Sequence, residues 1–176
     1  SEDLGGAKTH TSKSSVADLA FDNDILALRE VRKLLSFLPS NNRSKAPSIK
    51  VIDDPNRLES SLDNLIPNNA NIAYDMKELI LKIADENDFF ELQKDFARNI
   101  LIGFIRLDGD TIGVVANQPK VLAGCLDVDS SRKAARFVRF CDAFNIPILT
   151  LVDVPGFLPG TQQEYGGIIK HGAKLL

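Results

Sequence analysis

Apolar residues recur at helical spacing in the first part of the chain. Residues 16–38 predict a helix, in one piece or with a break near Phe21, and Pro39 ends the pattern. The apolar face of this helix carries Ile25, Leu28, Val31, Leu34, Leu35 and Leu38. Residues 1–15 are rich in Gly, Ser and Thr, and they predict a loop.

The next segment, residues 39–72, shows no periodic pattern. It holds four prolines and many Asn, Ser and Asp residues, which predicts a long irregular connector and a domain boundary. Residues 75–84 then predict a short helix with Asp75 as its N-cap, because a carboxylate there accepts hydrogen bonds from free backbone N–H groups. The apolar side of this helix carries Met76, Leu79, Ile80 and Ile83.

The second half of the chain is more apolar and favours strands. Two such runs, residues 99–107 and 111–117, flank an Asp-Gly turn signal and predict a β-hairpin. An amphipathic helix is expected over residues 130–144, with Ser130 or Asp129 as its cap. Its buried face is expected to contain Ala134, Phe137, Val138 and Cys141.

A strand, a loop and a helix follow in the last part of the chain. Residues 147–152 form a continuous apolar run, as expected for a strand covered on both faces, and residues 163–176 predict a helix. The order β-β-α-β-loop-α indicates an α/β fold. Because the chain ends in an apolar Leu-Leu and begins before a helix that has no partner, we expect this fold to be incomplete at both ends.

Composition narrows the possible functions. A net charge of −3 argues against nucleic acid or an anionic membrane as a partner, and no apolar run approaches the roughly 20 residues of a membrane-spanning helix. The chain does not start like a signal peptide. The two cysteines, Cys125 and Cys141, lack metal-binding spacing, so no metal site is expected, and free thiols fit a reducing compartment.

The loop over residues 153–161 is the strongest candidate for a ligand site, because ligands in α/β folds bind beyond the carboxyl ends of strands. Pro155 stiffens this loop. Gly156 and Gly160 let a ligand approach the main chain, and Phe157 can cover an apolar ligand surface. The start of the following helix offers free N–H groups to an anion. From residue types alone, a ligand wall and a merely well-ordered turn are equally good interpretations.

Two further groups of polar residues have competing interpretations. Asn117 and Gln118 follow a strand, where they could hydrogen-bond a ligand, although caps that satisfy the strand end are the commoner outcome. The helix side opposite the apolar face carries four cations, Arg132, Lys133, Arg136 and Arg139. Lys133 and Arg136 could meet the phosphates of a nucleotide-like ligand, although a solvated face is the commoner outcome.

Several segments together resemble the biotin-dependent acyl-CoA carboxyltransferase family. The most specific match is Asp153-Val-Pro-Gly-Phe-Leu-Pro-Gly-Thr161, continued by residues 163–176. Residues 96–106, 113–119 and 137–147 match in the same order, so the resemblance covers nearly the whole chain. One departure is Ser15, where the family usually has Gly.

The resemblance implies a crotonase (ClpP)-like fold of ββα units, with two such domains per subunit and subunits assembled into hexamers. It implies transfer of CO₂ from carboxybiotin to the α carbon of a short-chain acyl-CoA, which turns propionyl-CoA into methylmalonyl-CoA. A partner α subunit with the biotin carboxylase and the biotin carrier supplies carboxybiotin, and that partner alone uses ATP and bicarbonate. Two backbone oxyanion holes, worth about 3–4 kcal/mol each, stabilise the developing charge.

By the same resemblance, the chain is an internal piece without a catalytic residue, since both oxyanion-hole segments lie before residue 1 and beyond residue 176. Residues 1–38 correspond to the end of an N-terminal domain, 39–74 to a linker, and 75–176 to the first part of a C-terminal domain. The chain alone is therefore expected to be inactive. The expected location is the bacterial cytoplasm, with the mitochondrial matrix as the alternative.

The resemblance also implies two ligand-binding regions. The acyl-CoA-binding region is expected to include Phe90, Asn99, Gly103, Arg106, Gly113, Asn117, Gln118 and Gly124. The loop beside biotin is expected to consist of Val154, Pro155, Gly156, Phe157, Gly160 and Thr161. Two other functions stay open: a methylmalonyl-CoA decarboxylase subunit of the same family, and a non-catalytic fragment that only assembles with other subunits.

Overall fold

The computed structural model describes residues 1–69 and 71–176, and its centre is one mixed sheet. The four strands lie side by side in chain order: β1 (Phe90–Leu92), β2 (Ile100–Leu107), β3 (Asp110–Asn117) and β4 (Ile148–Leu151). β1, β2 and β3 are antiparallel neighbours, and β4 runs parallel to β3. The predicted hairpin, the predicted strand and the α/β class are confirmed, whereas β1 is an addition that the sequence pattern does not predict.

The described residues form seven α-helices: α1 (Glu2–Gly5), α2 (Ala7–Ser12), α3 (Asp24–Phe37), α4 (Met76–Ile83), α5 (Val128–Ala143), α6 (Thr161–Gly166) and α7 (Ile168–Ala173). The prediction of a loop over residues 1–15 is wrong, because α1 and α2 lie there. The predicted last helix is two helices, since Gly167 adopts a left-handed φ of 82° between α6 and α7. Three short 3₁₀ turns cover Ser60–Asn64, Asp85–Asn87 and Leu122–Gly124.

The helix caps explain where α3, α4 and α5 begin. The Asn23 side chain accepts the Leu26 N–H at 2.9 Å, and Asp75 caps α4 as predicted by accepting the Lys77 N–H at 3.0 Å. The cap predicted for α5 is wrong, because Asp127 holds that position. It exchanges reciprocal hydrogen bonds of 2.8 and 2.9 Å with the N–H and hydroxyl of Ser130.

Both faces of the central strands are buried, which places two apolar clusters in the molecule. The cluster on the α5 side contains Phe37, Phe90, Ile100, Ile102, Phe104, Val115, Ala134, Phe137, Cys141 and Ile146. The cluster on the α4 side contains Met76, Ile80, Ala84, Leu101, Ile105, Val114 and Ala116. Neighbouring side chains of a strand point to opposite faces, so β2 contributes its residues alternately to the two clusters.

The edge strand β4 departs from the prediction of a strand covered on both faces. Ile148 and Thr150 are exposed, and the two leucines between and after them are half-buried. The described residues therefore cover only one face of β4, which is the outermost strand of this sheet.

The predicted connector is irregular apart from one 3₁₀ turn in its described residues, and Ala70 lies outside those residues. The connector is nevertheless tied to the rest of the fold. The Arg57 guanidinium donates to the Ile83 and Ala84 carbonyls at the end of α4, at 3.1 and 2.9 Å. The Ile49 N–H donates to the Gly109 carbonyl in the hairpin turn at 3.1 Å. The connector therefore packs against the segment that follows it.

Helix α3 shares a core with residues 75–176. Phe37 is only 1% exposed, and its ring lies 5.8 Å from the Phe90 ring and 5.7 Å from the Phe104 ring, centroid to centroid. The Arg106 guanidinium stacks 4.0 Å from the Phe37 ring centre and donates to the Ser36 carbonyl at 2.9 Å. The division of the chain at residues 38 and 74 stays a prediction.

The departure of Ser15 from the family pattern has a physical cost. Its φ is 54°, which lies in the left-handed region that favours glycine. Its carbonyl accepts a long hydrogen bond of 3.4 Å from the Gln93 amide. The glycine expected from the resemblance would relieve this strain.

The prediction of a solvated cationic face on α5 is wrong for Lys133, which is only 3% exposed. Its ammonium group donates to the carbonyls of Gln93, Phe96, Ala97 and Ile100 at 3.0, 2.7, 3.3 and 2.8 Å. Burial lowers the pKa of Lys133 to about 8, while the charges of Glu91 and Asp95 oppose this shift. Lys133 is therefore mostly protonated at neutral pH, and it holds the turn between β1 and β2.

Candidate functional site

The candidate site lies where β3 and β4 end. Because these strands are parallel, their carboxyl ends meet at the same edge of the sheet. Asn117 and Gln118 follow β3, and the loop over residues 153–160 follows β4. The structure therefore brings together the two polar segments that the sequence singles out at strand ends.

Asn117 joins these two segments. Its side chain is 6% exposed, its amide N–H donates to the Gly124 carbonyl at 3.1 Å, and its amide oxygen accepts the Asp153 N–H at 3.2 Å. Buried polar atoms need such partners. Of the two interpretations open at the sequence level, the structure favours a cap that satisfies the strand end.

Gly124 completes this junction by allowing a close backbone approach. Its φ of 76° is left-handed, and a Cβ atom at this position would lie 2.5 Å from the Asp153 carbonyl oxygen. A larger residue would be strained by its φ and would push the loop after β4 away from Asn117.

Gln118 links the end of β3 to the start of α4. Its amide N–H donates to Asp75 at 2.7 Å, and its amide oxygen accepts the Met76 N–H at 3.3 Å. Its own N–H donates to the Asn99 carbonyl at 2.9 Å, and the Asn99 side chain donates to the Cys125 carbonyl at 2.8 Å. These bonds leave Gln118 in the wall of the site, with little freedom to turn toward a ligand.

Asp75 sits between this network and solvent. Burial by itself would raise the pKa of Asp75, but hydrogen bonds from Gln118 and from the Lys77 N–H, with the charge of Lys120, bring it below its ordinary value. Asp75 and Gln118 line an open cavity of about 480 Å³, which also has Lys94 and Arg98 in its wall. The cavity is wide enough to admit a ligand, and its charges are mixed.

The loop after β4 is anchored at its middle and open at its surface. The Leu126 N–H donates to the Gly156 carbonyl at 3.1 Å, and the Leu158 N–H returns a bond to the Leu126 carbonyl at 2.8 Å. Gly156 and Gly160 have φ angles of 152° and 134°, and a Cβ atom at either would meet no atom within 4 Å. The backbone conformation requires glycine there, and the space beside it is free.

Phe157 lies at the crest of this loop and is 46% exposed. Beneath it is Gly172 of α7, where a Cβ atom would lie 2.6 Å from the ring. The ring thus has one supported side and one accessible side. Val154 is half-buried, while Pro155 and Thr161 are exposed with the two glycines. This arrangement leaves an exposed aromatic face and an open main chain, against which a small apolar ligand could lie.

Tyr74 is a contact of this loop that sequence reasoning misses. Its hydroxyl donates to the Asp153 carboxylate at 2.7 Å across a separation of 79 residues. Burial, this hydrogen bond and the Asp153 charge raise the pKa of Tyr74 to about 12. No local signal could reveal the contact, because Tyr74 and Asp153 lie in separate irregular segments 79 residues apart.

Four residues of the predicted acyl-CoA-binding region lie away from this junction. Phe90 is in the core, and Arg106 stacks on Phe37 at the other end of β2. Gly103 and Gly113 allow close packing, since a Cβ atom would lie 2.2 Å from the Phe90 carbonyl at the former and 2.7 Å from the Cys141 sulfur at the latter. These four residues have structural roles, whereas Asn99, Asn117, Gln118 and Gly124 surround the site.

The described residues offer neither a metal centre nor an activated buried thiol. The described part of the chain contains no cluster of three potential metal ligands. Burial raises the pKa of the Cys141 thiol to about 12, so this thiol is a poor nucleophile. None of the helices formed by residues 1–69 and 71–176 has the length and apolarity needed to cross a bilayer.

The sequence of this chain is similar to those of known proteins. The family model for the carboxyl transferase domain matches residues 1–176. The propionyl-CoA carboxylase β chain of Cereibacter sphaeroides is 75% identical over 175 residues, which cover 99% of this chain and 34% of that protein. The methylmalonyl-CoA decarboxylase subunit α of Veillonella parvula is 55% identical over 175 residues, again covering 99% of this chain and 34% of that protein.

A solved structure matches the fold closely. The transcarboxylase 12S hexamer, with methylmalonyl-CoA and methylmalonic acid bound, gives a TM-score of 0.95 at 46% identity, covering 98% of this chain and 34% of that one. This match confirms the predicted crotonase-like fold. The chain thus spans 34% of the length of these relatives.

Proposed function

This chain belongs to the carboxyl transferase domain family, and on that premise we propose that it forms the central part of a carboxyltransferase β subunit of propionyl-CoA carboxylase. The whole subunit transfers CO₂ from carboxybiotin to the α carbon of propionyl-CoA and releases methylmalonyl-CoA. In this proposal, residues 1–38 form the end of one domain, and residues 75–176 form the first part of the next. Residues 39–74 form the linker between them.

The exposed surface of the loop after β4 is the structural observation that supports the proposal most directly. Phe157 offers an exposed ring face, and the main chain at Gly156 and Gly160 is open to a ligand. Carboxybiotin supplies the CO₂ when it is bound, so the chain needs only to position it. Asn117 and Gly124 hold the loop in place through Asp153, which keeps this wall rigid.

The acyl-CoA side of the site is proposed to lie at the end of β3. Gln118 and Asp75 border the open cavity, and Lys94, Arg98 and Lys120 in its wall can attract the phosphates of a coenzyme A group. Asn99 acts indirectly, since it orders the backbone beside Gln118. The remaining predicted contacts, Phe90, Gly103, Arg106 and Gly113, are proposed to support the fold.

The partners follow from the same family membership. An α subunit with biotin carboxylase and biotin-carrier domains brings carboxybiotin and uses ATP and bicarbonate, and other β subunits complete a hexamer as in the transcarboxylase 12S core. Free Cys125 and Cys141 fit a reducing compartment, so we place the protein in the bacterial cytoplasm, with the mitochondrial matrix as the alternative.

A chimera tests the proposal. This chain replaces the matching 34% of the Cereibacter sphaeroides β chain, and methylmalonyl-CoA formation is measured by mass spectrometry with the α subunit, ATP, bicarbonate and propionyl-CoA. We expect activity close to that of the parent enzyme. Phe157→Ala in the chimera should lower kcat/KM by about tenfold, since a lost aromatic contact costs roughly 1.5 kcal/mol or more.

The matched control is Phe21→Ala, which removes another partly exposed ring, in a segment before α3. It should leave kcat/KM unchanged. An assembled chimera that carboxylates no propionyl-CoA, or a Phe21→Ala variant as impaired as Phe157→Ala, would count against the proposal. The chain alone should show no carboxyl transfer between free biotin and propionyl-CoA.

Methylmalonyl-CoA decarboxylase is the second candidate, because a subunit of that enzyme is 55% identical to this chain. The higher identity of 75% favours the carboxylase. A second chimera, with the Veillonella parvula decarboxylase subunit α as host, separates the two functions. The carboxylase assignment predicts that the decarboxylase chimera is the less active of the two relative to its parent.

A further inference from the structure

A small cavity lies between α5 and α7, apart from the site proposed for carboxyl transfer. Its volume is about 190 Å³, and it shares no lining residue with the junction of β3 and β4. Six of its lining side chains are basic: Arg132, Lys133, Arg136, Arg139, His171 and Lys174. No Asp or Glu is among the described residues that line it. Positive charge is therefore concentrated in a space of small volume.

Nearby carboxylates compensate this charge only in part. Asp18 pairs with Arg136 at 2.6 Å, and Asp129 lies 3.7 Å from Arg132. Within the described residues, Arg139 and Lys174 have no carboxylate within 4.0 Å. Two full positive charges at the cavity are thus without a counter-ion.

The excess of positive charge affects the pKa of His171. Its pKa is lowered, first by burial and then by the charges of Lys174, Lys170 and Arg132, against a smaller opposing effect of Asp129. Its Nδ1 atom is shielded from solvent and has no hydrogen-bond partner in the described residues. An anion in the cavity would offset the cations, and it could accept a hydrogen bond from the imidazole ring.

The wall of the cavity includes Gln93, whose side-chain oxygen has no partner among the described residues. Gln93 is 3% exposed, and its amide nitrogen donates weakly to the Ser15 carbonyl at 3.4 Å. Its amide oxygen accepts no hydrogen bond from any described residue. A buried acceptor in this state is costly, and a ligand that carries an O–H or N–H group would satisfy it.

Lys133 does not supply that hydrogen bond. Its ammonium group also lies at this cavity, but it donates to the four carbonyls of the turn between β1 and β2. Gln93 and Lys133 are thus held in place, whereas the exposed cations Arg139 and Lys174 at the rim, and the imidazole ring of His171, are free to meet a ligand. Fixed polar groups beside available cations are more typical of a preformed binding site than of a solvated protein surface.

We propose that the cavity between α5 and α7 binds a phosphate group, with Arg139, Lys174 and His171 on its charged oxygens and the Gln93 amide oxygen on its O–H. A phosphate dianion carries three charged oxygens and one hydroxyl group, which matches several cations around a single buried acceptor. A carboxylate has only two oxygens and lacks the hydroxyl group when ionised. The site is independent of the proposed carboxyl transfer.

Nuclear magnetic resonance titration of the chain with inorganic phosphate and with sulfate tests the proposal. The experiment is done at constant ionic strength and at a pH where phosphate is mainly the dianion HPO₄²⁻. The two ions then have the same charge, but only phosphate carries an O–H. Phosphate should shift the resonances of His171 and Gln93, and it should bind several-fold more tightly than sulfate. Equal affinity for the two ions would overturn the assignment to phosphate.

A pair of double variants tests the location. R139Q with K174Q removes two cations at the rim of the cavity and should weaken phosphate binding by about tenfold or more. R43Q with K45Q removes the same total charge from the exposed connector and should leave the affinity unchanged. Equal weakening in both double variants would show general attraction to a cationic protein and would overturn the site. All four substituted side chains are exposed, so both variants should fold, as thermal melts would verify.

Discussion

Lys133 and Asn117 are two buried polar side chains that hold neighbouring loops by different means. Lys133 is a charged donor, and it gathers four carbonyl oxygens of one turn. Asn117 is neutral, and it joins a donor on one segment to an acceptor on another. A cation suits a place where only acceptors converge, whereas an amide suits a junction that has both kinds of partner.

The two residues border different candidate sites. The turn held by Lys133 borders the cationic cavity between α5 and α7, while the junction held by Asn117 borders the proposed carboxyl-transfer site. Lys133 is expected to contribute more to the free energy of unfolding than Asn117, because removing one member of a buried charged network leaves its partners unsatisfied. Removing each side chain should therefore have effects of different size.

The largest effect is expected for Lys133→Met. This change leaves the carbonyls of the turn without their donor, and we expect a loss of about 3–5 kcal/mol in the free energy of unfolding. Urea unfolding followed by circular dichroism measures it. The control is Arg132→Met, the preceding residue on the same helix, which is exposed and should cost less than about 0.5 kcal/mol. Similar losses in both variants would contradict the structural role of Lys133.

A smaller loss is expected for Asn117→Ala. The Gly124 carbonyl and the Asp153 N–H lose their partner, which should cost about 2 kcal/mol. Hydrogen exchange should become faster at Asp153 and in the loop that follows it. Asn64→Ala, at an exposed position in the connector, is the control and should change neither quantity. Unchanged protection of the Asp153 amide in Asn117→Ala would refute the junction.

The smallest effect concerns the hydrogen bond from Tyr74 to Asp153. Tyr74→Phe should cost about 1 kcal/mol, since both groups are partly exposed. The folded-state pKa of about 12 lies above the ordinary value of 10.0, so the folded state favours the protonated phenol. The contribution of this group to stability is fully present below pH 10.0 and is lost as the pH rises toward 12.

Ultraviolet titration of the Tyr165→Phe variant measures this pKa directly, because Tyr74 is then the only tyrosine in the chain. The midpoint should lie near 12, and Asp153→Asn should lower it by removing the carboxylate charge. A midpoint that does not move on Asp153→Asn would show that the carboxylate has no part in the shift.

Sequence patterns predict those parts of the fold that depend on local chemistry. The hairpin follows from two apolar runs around Asp-Gly, and Asp75 caps α4 because a carboxylate at that position meets free N–H groups. The glycines and prolines of the loop over residues 153–161, with its place after a strand, indicate a candidate ligand site. The resemblance to a family favours a ligand wall there over a merely well-ordered turn.

Other features do not follow from the helix and strand patterns, and most of them have causes that lie far apart in the chain. The cap of α5 is Asp127, and nothing in the helical pattern separates it from Asp129 or Ser130. The four carbonyls that surround Lys133 lie 33 to 40 residues before it, so its burial has no local signature. Tyr74 and Asp153 are 79 residues apart. Gln93 lines the cationic cavity only because α7 packs nearby.

Sequence patterns therefore establish the α/β class, the main strands and helices, the family and the position of the candidate loop. Each of these depends on residue types at short spacing, where periodicity, turn chemistry and backbone conformation act within a few residues. The tertiary structure is needed to show which polar side chains are held by hydrogen bonds within the fold and which are available to a ligand. That distinction depends on burial and on partners from distant segments, which exist only when the sheet and its helices have packed together.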